Sequence, residues 1–213
     1  MIKNIIFDFD GTIVDSKHLT MNLYNEIAEK NKLKPITEHD IEHLSRLSYK
    51  DKLKYVGVPF YKIQSLITGV LKSYKRHLNN IELIEGMKEV LYKLKERNVR
   101  LSVISSNSES NIREYFHNSG MDVFDDIHSS KGLFGKDVSI SRYISKSGMD
   151  KSEILYVGDE VRDIQACKKC SVKIIAVTWG FDIADVLKQH NPDFIVNTPK
   201  EILDVYDGID VRI

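Results

Sequence analysis

Short apolar runs alternate with helical patterns along most of the chain, and the runs stop at polar turns. The clearest run, Ile2 to Phe9, is rich in Ile and Phe and ends at Asp10-Gly11, which predicts a buried strand followed by a turn. Further strands are predicted at residues 99–104, 124–128, 154–157, 173–177 and 194–196. Apolar residues at helical spacing lie between these runs. Repeated strand–helix units predict an α/β fold, with a parallel sheet and helices on both faces.

One stretch departs from this alternation, because residues 16–79 carry helical patterns only. Within it, Thr37 and Asp40 resemble a capping box at the start of a helix. Pro59 suits the first position of a further helix. The pattern predicts a helical segment inserted into the α/β core. The segment is placed at residues 16–83 and the core at residues 1–15 and 84–213.

The composition is that of an ordinary globular protein and excludes several classes. Of 213 residues, 42% are hydrophobic and 29% charged, which allows a core without disulfide staples. Lys and Arg number 31, as do Asp and Glu, so there is no electrostatic footprint for nucleic acid or an acidic membrane surface. No stretch approaches the roughly 20 apolar residues of a membrane span, and the chain opens on a strand rather than a targeting run. We therefore expect a cytoplasmic protein with neither nucleic acid nor membrane as partner, its oligomeric state left open. Cys167 and Cys170 are expected to be reduced structural thiols.

Polar side chains follow three of the predicted strands. The first strand is followed by the polar stretch Asp8 to Thr12, the second by Ser105 to Ser108, and a later strand by Gly158 to Asp163. Lys136 lies at the start of a helical pattern. The carboxyl ends of parallel strands share one edge of the sheet, and ligands bind there. Carboxylates suit Mg²⁺ held together with a substrate phosphate. A carboxylate can also become an aspartyl-phosphate, and a lysine offsets charge on the transferring oxygens. These residues predict a Mg²⁺-assisted reaction at phosphorus.

The order and spacing of these residues resemble the four motifs of the haloacid dehalogenase superfamily. The first motif is similar to DFDGTIVDS at residues 8–16, the second to VISSN at 103–107, the third to Lys136, and the fourth to VGDEVRD at 157–163. The resemblance implies a Rossmann-like parallel sheet. A helical insert directly after the first motif is similar to the helical cap of the phosphoglycolate phosphatase-like and phosphoglucomutase-like branch. The turn Thr178–Phe181 is also similar to that branch.

The resemblance implies a role for each of these residues. Asp8 is implied to be the nucleophile, and Asp10 the general acid and then the general base. The implied Mg²⁺ site comprises Asp8, the main-chain carbonyl of Asp10, Asp159 as the other direct protein ligand, and Asp163, with Glu160 as a further candidate, holding metal-bound water. Ser106 is preferred to Ser105 as the second-motif hydroxyl, because Asn107 then falls where the family often has Asn. The phosphoryl group is implied to be bound by Gly11, Thr12, Ser106, Asn107 and Lys136.

Taken together, the residues and the resemblance predict a Mg²⁺-dependent phosphatase. It is expected to hydrolyse a small phosphorylated metabolite through an aspartyl-phosphate, as a phosphoglycolate phosphatase-like enzyme. Two alternatives stay open: a phosphosugar mutase that uses the same residues, and a phosphate-binding regulatory protein with residual activity. Arg46 and Lys50 in the helical segment are candidates for binding an anionic leaving group, against the alternative of plain exposed charge. Asp125 and Asp126, beside a weak strand, are expected to be solvated.

Overall fold

The main sheet of the protein is parallel and has six strands. The computed structural model describes residues 1–130 and 135–210, and the strands within these ranges are β1 (Asn4–Phe7), β2 (Val14–Asp15), β3 (Glu82–Leu83), β4 (Arg100–Ser105), β5 (Asp126–Ser129), β6 (Ile154–Gly158), β7 (Lys173–Val177) and β8 (Phe194–Val196). The order across the sheet is β5-β4-β1-β6-β7-β8, with β1 parallel to both β4 and β6. Each of these six strands begins and ends within two residues of its predicted bounds.

Helices connect the strands and form the long insertion after β2. In the described part of the chain the α-helices are α1 (Lys17–Asn31), α2 (Glu38–Ser45), α3 (Tyr49–Tyr55), α4 (Ile63–Tyr74), α5 (Met87–Glu96), α6 (Glu109–Asn118), α7 (Lys136–Ser147), α8 (Val161–Cys170), α9 (Ala184–Gln189) and α10 (Lys200–Asp210). None of the described helices is long and apolar enough to cross a membrane.

Alternate residues of each central strand enter two separate hydrophobic cores. Ile5 and Phe7 of β1 pack on the face covered by α5, α6 and α10, whereas Ile6 packs on the face covered by α7, α8 and α9. Successive side chains of a strand point to opposite faces, so a sheet with both faces covered needs continuous apolar strands. The predicted three-layer arrangement is confirmed. Cys167 and Cys170 lie in the second core as free thiols.

The helical segment leaves and re-enters the core at one place. The two-residue strands β2 and β3 pair antiparallel, with Val14 opposite Leu83. Helices α1 to α4 lie between them in the chain, and α1 packs against α4. The insertion therefore begins directly beyond the end of β1, where the first group of predicted site residues lies.

Three local predictions can be compared with these coordinates. The capping box is confirmed, because the Thr37 backbone N–H donates to the Asp40 carboxylate at 2.9 Å. The prediction for Pro59 is wrong: this residue precedes a single 3-10 turn, and α4 begins only at Ile63. The prediction of solvated carboxylates beside β5 is confirmed for Asp125, which is exposed, whereas Asp126 is half-buried. Asp125 pairs with Lys95, and Asp126 pairs with Arg100.

Candidate active site

The neighbouring strands β1 and β6 bring the first and fourth sequence motifs together. Asp8 directly follows β1, is 1% exposed, and donates its backbone N–H to the carbonyl of Val157 at 2.9 Å. Asp159 directly follows β6, and Asp163 lies in the first turn of α8. Carboxylate oxygens of Asp8, Asp159 and Asp163 lie within 4.8 Å of one another. The topology therefore collects three buried carboxylates at the carboxyl edge of the sheet.

Two glycines allow the backbone to approach this carboxylate cluster. Gly11 has a φ of +75°, and a Cβ there would lie 2.4 Å from an Asp159 carboxylate oxygen. A Cβ on Gly180 would lie 2.2 Å from the Cβ of Asp159. Glycine alone tolerates both the positive φ and the close contact. The approach also lets the Phe181 backbone N–H donate to Asp159 at 2.8 Å.

Lys136 is the cation at the centre of the cluster. It is the first residue of α7 and 3% exposed, and its Nζ donates to Asp8 Oδ2 at 2.5 Å and also to Asp163. Burial raises the pKa of Asp8, but the charges of Lys136 and Arg162 outweigh burial and hold that pKa below its usual value. Burial lowers the pKa of Lys136, and the charges of Asp163 and Asp8 overcome this and raise it. Asp8 is therefore an ionised carboxylate, the form that a nucleophile requires.

Asp10 lies two residues further along, in a different environment. Its Oδ1 accepts hydrogen bonds from Ser16 Oγ at 2.7 Å and from the Tyr74 hydroxyl at 2.5 Å. Its Oδ2 accepts from Asn107 Nδ2 at 2.9 Å. Burial raises the pKa of Asp10 in spite of these three donors. A carboxyl group with a raised pKa beside an ionised one is the usual arrangement of an acid–base group next to a nucleophile.

The charges of the cluster fit a divalent cation. When fully ionised, the four acidic side chains Asp8, Asp159, Glu160 and Asp163 exceed the two cations Lys136 and Arg162 by two negative charges. Burial, followed by repulsion from Glu160, Asp8 and Asp163, raises the pKa of Asp159 well above its ordinary value. Burial likewise raises the pKa of Asp163 to about 6. Hard oxygen ligands with excess negative charge are the donor set that Mg²⁺ takes.

The second motif contributes hydroxyl and amide groups at the end of β4. The Ser105 side chain is fully buried, and its Oγ accepts from the backbone N–H of Asn107 at 3.2 Å. The Ser106 side chain faces the cavity beside the site and accepts from Arg162 Nη2 at 3.3 Å. Ser106 is therefore the hydroxyl available to a ligand. Thr12 instead donates its hydroxyl to Asp159 Oδ1 at 2.7 Å. The two backbone amides implied to bind the phosphoryl group already have backbone partners, because the Gly11 N–H donates to the Val14 carbonyl at 2.9 Å and the Thr12 N–H to the Phe9 carbonyl at 3.4 Å.

The predicted leaving-group residues are not brought to this site. Arg46 is exposed and pairs with Glu42 one turn earlier in α2. Lys50 is exposed in α3, and among the described residues neither it nor Arg46 lines the cavity beside Asp10. Neither side chain reaches the cavity, because each lies at an outward-facing position on, or at the end of, a short helix.

Sequence reasoning missed three residues that contact the site. Arg162 donates to Glu160 at 2.6 Å and to Ser106. It lies inside the fourth motif, so its position in the sequence could have indicated a place in the site. Ser16, at the end of the first motif, could also have been found. Tyr74 could not, because its contact with Asp10 spans 64 positions and depends on how the helical segment packs.

The parallel sheet and the carboxylate–lysine cluster at its edge define an α/β enzyme. The chain belongs to the haloacid dehalogenase-like hydrolase family, whose model matches residues 5–177. It is 30% identical to phosphoglycolate phosphatase of Synechococcus elongatus over 203 aligned residues. The alignment covers 95% of this chain and 96% of that protein. It is 24% identical to pyrophosphatase PpaX of Bacillus velezensis, with 96% of each chain covered.

Solved structures agree on the fold. A haloacid dehalogenase-like hydrolase from Streptococcus pneumoniae superposes with a TM-score of 0.81 at 20% identity, covering 96% of this chain and 98% of that one. CbbY from Rhodobacter sphaeroides, solved in complex with phosphate, superposes with a TM-score of 0.75 at 16% identity, covering 95% and 96%. The structures support the fold, while the family model and the phosphatase relatives make the chain a hydrolase of the phosphatase type.

Proposed function

We propose that this protein hydrolyses a small phosphomonoester through an aspartyl-phosphate formed on Asp8. The observation that carries the proposal is the buried contact of Lys136 Nζ with Asp8, 2.5 Å away, beside a second aspartate of raised pKa. The lysine keeps the nucleophile ionised and supplies positive charge for the phosphoryl oxygens. The phosphatase relatives in the same family support a reaction at phosphorus.

The residues divide the reaction into two steps. In the first, an Asp8 oxygen attacks phosphorus, the bond from phosphorus to the leaving oxygen breaks, and Asp10 donates its proton to that oxygen. In the second, Asp10 takes a proton from water, which attacks phosphorus and releases Asp8 and inorganic phosphate. Proton transfer of this kind is worth roughly 10²–10⁴ in rate. Ser106, the Asn107 amide and Lys136 would bind the phosphoryl oxygens throughout.

Asp8, the Asp10 carbonyl and Asp159 would hold Mg²⁺, with Asp163 supporting its water ligands. The fit rests on the excess of two negative charges that the buried cluster has when fully ionised. When bound, the ion would reduce repulsion between the nucleophile and the phosphate and orient the phosphoryl group. The helical segment, residues 16–83, would act as a cap over the strand-end site.

The proposal is tested first with an aryl phosphate. Wild-type protein is expected to release nitrophenol and one equivalent of inorganic phosphate, to stop in EDTA, and to recover with Mg²⁺. A second assay with a hexose phosphate separates the alternatives, because a phosphatase releases its phosphate stoichiometrically, whereas a mutase returns the group to the sugar. Full activity in EDTA would overturn the metal assignment.

The nucleophile is tested by Asp8→Asn. We expect kcat to fall by about 10³-fold or more, because an amide is a poor nucleophile. Asp122→Asn, at an exposed aspartate, is the matched control and should keep its rate. If Asp8→Asn retained a tenth of the wild-type rate, direct attack by water would be the better mechanism.

A further inference from the structure

A cavity of about 300 Å³ lies between the helical segment and the strand-end site. Asp10, Ser106 and Asn107 line it at the core side, so it is continuous with the groups that would handle the phosphoryl group. A phosphomonoester whose phosphorus lies at Asp8 would have its leaving group on the side of Asp10. The cavity is therefore where the substrate's alcohol would lie.

The wall of this cavity on the helical segment is mostly apolar, although Lys17, Thr20, Ser45 and Lys52 also line it. Along α4 the lining side chains recur at spacings of three and four residues, which places them on one face of the helix; they are Ile63, Leu66, Ile67, Val70, Leu71 and Tyr74. Tyr74 lies at the catalytic end, where its hydroxyl donates to Asp10. At 1.5 Å per residue the stripe runs roughly 16 Å away from the acid. Met21 and Tyr24 of α1 line the same cavity.

An apolar stripe on a helix usually belongs to a packed core, but this one borders open space. Protein interiors are close-packed and hold few voids larger than a water molecule. A cavity left in an apolar core lowers stability in proportion to its volume. An apolar cavity of about 300 Å³ with a few polar groups at one end has instead the usual form of a ligand site.

The charged groups of the cavity disfavour an anionic leaving group. Two of the lining cations are already paired: Lys52 Nζ lies 2.6 Å from Asp182 Oδ1, and Arg162 donates to Glu160. A third, Lys17, lies at the start of α1. The carboxylates of Asp10 and Glu160 also face the space. Away from Lys17, which has no ion pair among the described contacts, a second carboxylate or phosphate on the substrate would have to break an existing ion pair or lie against apolar side chains, and both cost free energy.

We propose that this cavity binds the leaving group and selects phosphomonoesters of a neutral, apolar alcohol, with an aromatic ring or a medium-length alkyl chain. The inference rests on the phosphatase activity proposed above, and it narrows the substrate class of that same site. The proposed preference for a neutral alcohol differs from the substrates for which the relatives are named, because phosphoglycolate and pyrophosphate each carry a second anionic group.

The test is kcat/KM of the Mg²⁺-loaded wild-type protein across n-alkyl phosphates from ethyl to octyl, beside phosphoglycolate and pyrophosphate. Burial of each methylene predicts a rise of about fourfold per carbon until the cavity is filled. A flat series, or a higher kcat/KM for phosphoglycolate or pyrophosphate than for hexyl phosphate, overturns the inference and leaves the phosphatase intact. If no ester is hydrolysed, the proposed function fails and this inference fails with it.

Val70→Thr locates the effect in the cavity, because it keeps the side chain's shape and adds a hydroxyl to the wall. We expect it to lower kcat/KM for hexyl phosphate about tenfold more than for ethyl phosphate. Val138→Thr is the matched control, since Val138 is 56% exposed on α7 and does not line the cavity. Equal losses for both esters would place the selectivity elsewhere. If Val70→Thr did not fold, the wild-type series alone would decide.

Discussion

Asp8 and Asp10 lie two residues apart, yet their surroundings shift their pKa values in opposite directions. The charges of Lys136 and Arg162 lower the pKa of Asp8 although burial raises it, whereas burial raises the pKa of Asp10. Two carboxylates whose pKa values are driven apart take different roles in one reaction. In the proposed reaction the ionised carboxylate attacks phosphorus, and the other carries the proton.

This division of roles predicts that the fall in rate caused by Asp10→Asn depends on the leaving group. An alkoxide needs a proton in the transition state, and nitrophenolate barely does, so phosphorylation should slow by about 10²–10⁴ with an alkyl phosphate and much less with nitrophenyl phosphate. Single-turnover release of each alcohol measures that step. The variant keeps the Asp10 carbonyl, so the Mg²⁺ requirement should not change.

Asp15→Asn is the control for this experiment, because Asp15 is exposed and near in sequence. It should leave both first-step rates unchanged. Equal losses for the two leaving groups in Asp10→Asn would mean that Asp10 acts only by position or charge.

The sequence predicts some of these residues and not others, for a physical reason. Asp8, Asp159 and Lys136 are recognisable because each lies at a defined place relative to a strand end or a helix start, and parallel pairing then brings them together. Tyr74 has no such local marker. Its contact with Asp10 depends on the packing of α4 over the core, and the spacing of apolar residues does not encode that packing.

Helices and strands also differ in how well the sequence predicts them. The six strands of the main sheet were predictable because a strand buried on both faces is continuously apolar. The strands β2 and β3 have only two residues each and show no period, so their pairing could not be foreseen. The helices α9 and α10 were not predicted individually, and α3 was predicted only as part of the helical stretch at residues 16–79.

Asp125, directly before β5, contacts β4 and α5 and allows a prediction about stability and pH. Its carboxylate accepts the Leu101 backbone N–H of β4 at 2.8 Å and pairs with Lys95 of α5. Burial raises the pKa of Asp125, but the Leu101 and Lys95 hydrogen bonds outweigh burial and lower it. A lowered folded-state pKa means that the carboxylate stabilises the fold above its unfolded pKa of about 3.9, and that this contribution is lost as pH falls through the folded value.

Asp125→Asn should therefore lower the free energy of unfolding at pH 7 by about 0.5 kcal/mol, a value reduced for solvent screening. The difference from wild type should shrink as pH falls below about 4. Urea unfolding at pH 7 and at pH 3 measures both, with Asp122→Asn as the exposed control. A difference that grew on acidification would refute the assignment.

At the scale of the whole molecule, a few polar contacts hold the helical segment on the core. Tyr74 donates to Asp10, Asn111 Nδ2 donates to the Leu71 carbonyl at 3.1 Å, and Lys52 pairs with Asp182. All three lie around the apolar cavity or directly beside it. The position of the helical segment is thus tied to Asp10, to α6 and to the loop after β7.

The Lys52–Asp182 pair is the contact of this set that can be removed without touching the proposed chemistry. Asp182 is 4% exposed, and its other carboxylate oxygen accepts the Val161 backbone N–H at 2.8 Å, at the start of α8. Burial raises the pKa of Asp182 even with Lys52 present. Without the ammonium group, a buried carboxylate would lose its only cation among the described contacts. The helix α3 would lose one of its ties to the core and keep the contact of Tyr49 with Arg162.

Lys52→Met is expected to lower kcat/KM for hexyl phosphate about tenfold and to change that for ethyl phosphate less, because a loosened helical segment buries less of a long leaving group. Lys50→Met, two residues earlier and exposed, is the matched control. Asp182→Asn should give a similar loss, and the double variant should lose no more than either single one, since both remove the same pair. Additive losses would mean that the two residues act separately. If Lys52→Met matched Lys50→Met, the pair would not position the helical segment, and its geometry over the cavity would have to rest on Tyr74 and Asn111.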